Sequence, residues 1–251
     1  MSPLPLKSTV LPAVQPAPRP LRLNLAALTA EELQHLLGEA AAQRMMPEVS
    51  QARLEGRVLA GDVVAREQEY QLQPERSWGK TPELARQLSG LSGELVQLGG
   101  TDLGVYYLPQ LAEVRHLRAY LFAPDTALAL RWSETPGSGR APAPFLLAAT
   151  LLRDRASGTA AVLSSTSALP FVPTQSEEID ARLYQGAPSP PAAPAQALLE
   201  AHRLQVARHG RGVRLGLVAG NEYADWLKVF ATVRQVNLAA WTRRGLLVEG
   251  S

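Results

Sequence analysis

From residue 29 onward the apolar positions fall into two rhythms. Leu33, Leu36, Leu37, Ala40, Ala41 and Met45 recur at helical spacing, and Thr29-Ala30-Glu31-Glu32 has the S/T-x-x-E form of a capping box. This predicts a helix over about 30–46, closed by Pro47, with His35 on its edge. Thr81 followed by Pro82 marks a second start and a helix over 82–97, weakened by Gly90 and Gly93. Leu198, Leu199, Leu204 and Val206 indicate a third over about 195–209. A fourth spans about 222–244, with Asn221 as its cap, Glu222 and Asp225 in its first turn, Arg243 and Arg244 in its last, and Gly245 as its stop. Its apolar stripe, Tyr223, Trp226, Leu227, Phe230, Val233 and Trp241, assigns both tryptophans to core.

The second rhythm is that of strands. "VRHLRAYLFAPDTALALRW" (114–132) contains two apolar runs joined at Pro124-Asp125, and "PFLLAATLLRDRASGTAAVLSSTS" (144–167) contains two more joined by the polar turn 153–158. Four antiparallel strands follow from this pattern, with the loop 133–144 on the surface. Residues 52–72 read as a hairpin around Gly61-Asp62, and 98–109 as a turn with a short apolar segment. Residues 168–195 are proline-rich and carry a second capping-box match, Thr174 to Glu177, so they read as a crossing segment. The expected fold is α+β, an antiparallel sheet over about 114–165 packed by the C-terminal helices, with an N-terminal αββα unit. The corresponding division is a disordered proline-rich tail (1–22), an N-terminal α/β lobe (23–109) and a sheet plus two-helix lobe (110–251), with one continuous domain as the alternative.

Composition narrows the chemistry. The chain has 251 residues, 46% of them hydrophobic and 19% charged, within the range of a globular protein. Its longest relevant apolar run, "FLLAATLL" at 145–152, is far shorter than the roughly 20 residues a spanning helix needs, so no membrane partner is expected. Prolines interrupt every apolar run of the first 23 residues, and a cytoplasmic location is expected. The absence of cysteine removes disulfides, thiolate nucleophiles, zinc ribbons and iron–sulfur clusters. Of the 25 basic residues only Lys7, Lys80 and Lys228 are lysines, a bias that GC-rich coding explains. Charge is uneven: 17 basic against 19 acidic residues over 1–194, and 8 against 4 over 195–251.

No familiar constellation survives inspection of spacing. His202 and His209 are seven residues apart, about 10 Å along a helix, too far to share an ion, and His35 and His116 have no local ligand partner. Gly90-Leu91-Ser92-Gly93-Glu94 lacks the last glycine of a nucleophile elbow and sits in a helix. Lys80-Thr81, preceded by "PERSWG", lacks the first glycine of a phosphate loop. Glu31/Glu32 and Glu177/Glu178 suit helix starts, whereas Glu67 and Glu69 alternate as on a strand face. Gly210, Gly212 and Gly216 are spaced one residue too long for a dinucleotide fingerprint, and "VRLGLV" (213–218) reads as a short strand between two helices.

The reading is therefore a soluble, non-enzymatic binding or accessory protein with a mildly basic C-terminal surface and no cofactor. Its partner would be another protein or a second copy of the chain. Arg208, Arg211, Arg214, Trp241, Arg243 and Arg244 are the interaction candidates. A metal-independent hydrolase with a site between the lobes, using Glu67 or Glu69, is one alternative. Nucleic-acid binding through the same arginines is another, not favoured because the chain contains no helix-turn-helix or RNP pattern.

Overall fold

A computed structural model describes residues 19–111, 114–134, 143–155, 157–184 and 194–250. The expectations for residues 1–18 and for most of the loop 133–144 lie outside them. Among the described residues ten strands and five α-helices form an α+β architecture with two sheets.

The larger sheet has seven strands in sequence order: β3 (Gln71–Gln73), β4 (Thr101–Tyr107), β5 (His116–Phe122), β6 (Thr126–Trp132), β7 (Phe145–Leu151), β8 (Ala161–Ser165) and β9 (Ile179–Leu183). All neighbours are antiparallel except β8 and β9. The hairpins expected at 114–132 and 144–167 form its centre. Helices cover both faces, which is why β7 and β8 are buried at every position instead of alternating. One face packs Leu117, Ala119, Ala129 and Leu147 against Trp226, Val229 and Val233 of α5 (Glu222–Arg243). The other packs Tyr120, Leu128, Leu130 and Leu146 against Leu88 and Leu95 of α3 (Pro82–Gln97) and Leu198 and Leu199 of α4 (Pro194–His209).

The smaller sheet, ordered β10-β1-β2, joins β1 (Leu21–Asn24) to β2 (Ala60–Val64) and β10 (Leu247–Glu249). β1 thus begins inside the stretch expected to be tail. Leu21, Leu23, Leu246 and Leu247 pack with Leu33 of α1 (Ala30–Leu37) and Val49 of α2 (Glu39–Leu54), and Leu238 and Trp241 extend α5 onto this cluster.

Several local expectations are corrected. The helix over 30–46 breaks at Gly38, which has φ 77°, and α2 then runs through Pro47 to Leu54. The hydrogen bond lost at proline is outweighed by burial of Ala42, Val49 and Ala52 on one side of α2. The hairpin over 52–72 does not form, since β2 and β3 belong to different sheets. Residues 98–109 contain a full strand, and the crossing segment supplies the parallel strand β9. Asn221 precedes α5 without a capping hydrogen bond from its side chain. "VRLGLV" forms no named strand; its neighbour Gly212 makes one isolated bridge to Leu152. Among the described residues no helix is long and apolar enough to cross a membrane.

Candidate functional site: an arginine-lined cleft

At one end of the larger sheet the β5–β6 turn, the end of β7, the last turns of α4 and the segment 210–214 enclose a cleft of about 600 Å³. Backbone hydrogen bonds hold its walls together. The Arg153 amide donates to the Arg211 carbonyl (2.9 Å), Val213 to Leu151 (2.8 Å) and Leu215 to Pro124 (2.8 Å). Gly210, with φ 115°, turns the chain out of α4. Gly212 lies against Asp125 so closely that a Cβ would collide with the carboxylate.

This stitching puts Arg153, Arg203, Arg211 and Arg214 around one cavity, together with Asp125, Leu199 and Val206. All four arginines are exposed, and among the described residues none of their guanidinium groups makes an ion pair or hydrogen bond. Among the described residues Asp125 is the only carboxylate in the lining. Such guanidinium forks suit phosphate or carboxylate groups.

Under the cleft floor runs a buried chain of polar side chains. Gln205 Nε2 donates to the Asp180 carbonyl (2.8 Å), which leaves Gln205 Oε1 to accept from Ser164 Oγ (2.8 Å). With its single proton so used, Ser164 Oγ accepts from His202 Nδ1–H at 2.7 Å. His202 Nε2 then accepts from Thr150 Oγ1 (3.0 Å), and Thr150 accepts from Thr126 (3.1 Å), whose hydroxyl also lies 3.2 Å from Asp125 Oδ1. Burial, with the Arg203 charge adding to it, pushes the His202 pKa down to about 4, so the ring is neutral. Ser164 and His202 resemble a nucleophile and base, but the proton runs from histidine to serine, and both are shut off from solvent. The pair is structural.

Beyond this chain His209 Nε2 meets Asp180 Oδ2 at 2.9 Å. Burial raises the Asp180 pKa, but hydrogen bonds from His209, Arg182 and Gln205 outweigh it and hold the group below its usual value.

The sequence-derived candidates divide. Arg211 and Arg214 line the cleft, and Arg208 is exposed on α4 but outside the lining. The other three lie at the far end of α5. Trp241 packs on the small-sheet cluster and donates to the Thr174 carbonyl (2.9 Å). Arg243 faces Glu178 at 3.7 Å, and Arg244 grips both oxygens of Glu32 at 3.0 Å. Glu67 and Glu69, exposed between β2 and β3, do not line the cleft. Sequence reasoning missed Arg153 and Arg203. Arg203 was open to detection, because it lies four residues after Leu199 and three before Val206 on one face of α4.

A second cavity of about 480 Å³ lies between α3 and β5–β6, lined by Trp78, Trp132 and three serines. Its Arg118 is tied to Asp102 and Glu75, and the Arg76 guanidinium stacks 4.1 Å from the Trp78 ring centre. Among the described residues no three histidine or acidic side chains converge to hold a metal. No protein family matches the chain, and comparison with curated proteins and with solved structures finds no match.

Proposed function

We propose that this chain is a cytoplasmic, non-enzymatic binding protein that takes a phosphate-bearing ligand in the arginine cleft. One observation carries the reading: four arginines from three separate segments line a single cavity without ion-pair partners among the described residues. Arginine side chains that serve only solubility have no reason to converge on a concavity, where their mutual repulsion is greatest. The volume suits a small phosphorylated molecule or the phosphate end of a larger one. The Asp125 carboxylate in the lining offsets part of the positive charge.

The test is calorimetric titration with inorganic pyrophosphate. Binding should weaken about tenfold or more when Arg203 or Arg214 is changed to Gln, since hydrogen bonds to charged groups contribute about 1.5–3 kcal/mol each. Absence of pyrophosphate binding at low salt would overturn the reading. Arg155 and Arg208, exposed and within two residues in sequence of the lining residues Arg153 and Ala207, favour a second reading in which the ligand is a nucleic-acid backbone. A labelled single-stranded oligonucleotide should then outcompete pyrophosphate, with affinity falling steeply between 50 and 200 mM salt.

A further inference from the structure

On the face of the larger sheet covered by α5, alternate positions of β6 are Ala127, Ala129 and Arg131. Arg131 stands between Leu117 of β5 and Phe145 of β7, a charged side chain in an apolar row. From α5, Arg234 reaches the same region and donates from Nη2 to the Ala65 carbonyl. The Nε atoms of both arginines are shut off from solvent and have no hydrogen-bond partner. Tyr70, whose hydroxyl donates to Gln68 (2.8 Å), packs against the same core and acts electrostatically on both guanidiniums. Burial pushes the Tyr70 pKa up to about 12, so it brings no negative charge. The groups that bear on Arg131 are Tyr70 and Arg234, and the group that bears on Arg234 is Tyr70; no carboxylate among the described residues does.

A guanidinium does not escape burial by losing its proton, unlike lysine or histidine. Both residues are partly exposed, yet each holds a buried Nε–H without a partner, and two like charges set against one apolar region repel each other, a state that is relieved by an anion between them. We propose that Arg131 and Arg234 form a second, partly exposed anion site between the larger sheet and α5, which binds a small oxyanion such as phosphate, sulfate or a carboxylate. The site is independent of the cleft, with no shared residue.

The full-length protein with Arg203, Arg211 and Arg214 changed to Gln removes the cleft response and isolates this site. In that background, replacing chloride by phosphate at constant ionic strength is expected to raise the Tm by about 5–10 °C once phosphate exceeds its Kd about 100-fold. Arg131→Met or Arg234→Met, which keep the apolar stem and remove the charge, should abolish the rise. Equilibrium dialysis with labelled phosphate should find one ion per chain in the cleft-substituted protein, a measurement that holds even where a methionine variant folds poorly. A Tm rise that persists in both methionine variants overturns the proposal. So does the absence of any response to phosphate, sulfate and acetate.

Discussion

His202 and Glu32 are both withdrawn from solvent, at 0% and 4% exposure, yet one is kept neutral and the other ionised. The histidine is surrounded by hydroxyls and an amide, and burial, with the Arg203 charge adding to it, pushes it toward the uncharged form. Burial acts the same way on Glu32, raising its pKa. Four hydrogen bonds reverse the outcome: both Arg244 Nη atoms at 3.0 Å, the Thr29 amide at 2.9 Å and the Thr174 amide at 2.8 Å. Together they bring the Glu32 pKa down to about 2. Depth therefore does not set the charge state of a buried group; the charge of its partners does. The neutral chain links β6, β7 and β8 to α4 beneath the cleft, whereas the ionised hub ties α1, the 174–176 segment and the end of α5 into one corner.

The contrast predicts unequal sensitivity. Glu32→Ala, which strands Arg244 and two amides, should cost about 3–5 kcal/mol in chemical denaturation; a loss below about 1 kcal/mol would mean the hub is not a hub. Acid should act in two stages. The His202 pKa is about 4 in the folded protein against 6.5 ordinarily, so the unfolded chain gains its proton first and about 3 kcal/mol is lost as pH falls from 6.5 to 4. Glu32, at about 2 against 4.5, contributes about 3 kcal/mol above pH 4.5 that is lost as pH falls toward 2. Denaturation of His202→Asn over this range should lack the first stage and keep the second.

Smaller effects sharpen the picture around the cleft. Thr150→Val leaves His202 Nε2 without its donor and should cost about 1–3 kcal/mol. Gly212→Ala should cost about 1–3 kcal/mol by displacing Asp125, and it should weaken pyrophosphate binding at the same time. Arg203→Gln should change stability by less than about 0.5 kcal/mol while weakening that binding, a separation that distinguishes a ligand contact from a structural one.

Much of the framework was legible in the residue pattern because its signals are local. The helices at 82–97, 195–209 and 222–244 and the two central hairpins rest on caps and periodicity within their own segments. Thr29 and Glu32 do form the capping box, with the Glu32 amide 3.1 Å from Thr29 Oγ1. The larger role of Glu32 involves Arg244, 212 residues away, which no local pattern encodes. The cleft shows the same limit. Arg211 and Arg214 stand out by proximity in sequence, but Arg153 joins them only through the Leu152–Gly212 bridge. Arg243 and Arg244 look adjacent to that group on paper, yet the 22 residues of α5 carry them about 33 Å from its start. β9 escaped detection because a proline-rich, capping-like segment resembles a helix start until a neighbouring edge offers it hydrogen bonds.

The pairing of β1 with β10, in the register Leu21↔Glu249, has a consequence for how the chain acquires its shape. β1 must wait for β10, more than 200 residues later in the chain, before the smaller sheet closes. Leu21, Leu23 and Leu25 have early partners in β2, α1 and α2, but their contacts with Leu246 and Leu247 come late, while the central hairpins of the larger sheet have their partners within a few dozen residues. Ribosome-bound chains stalled before Leu246 should therefore protect the larger sheet from protease and leave β1 more open to cleavage, so that the smaller sheet becomes resistant later than the larger one.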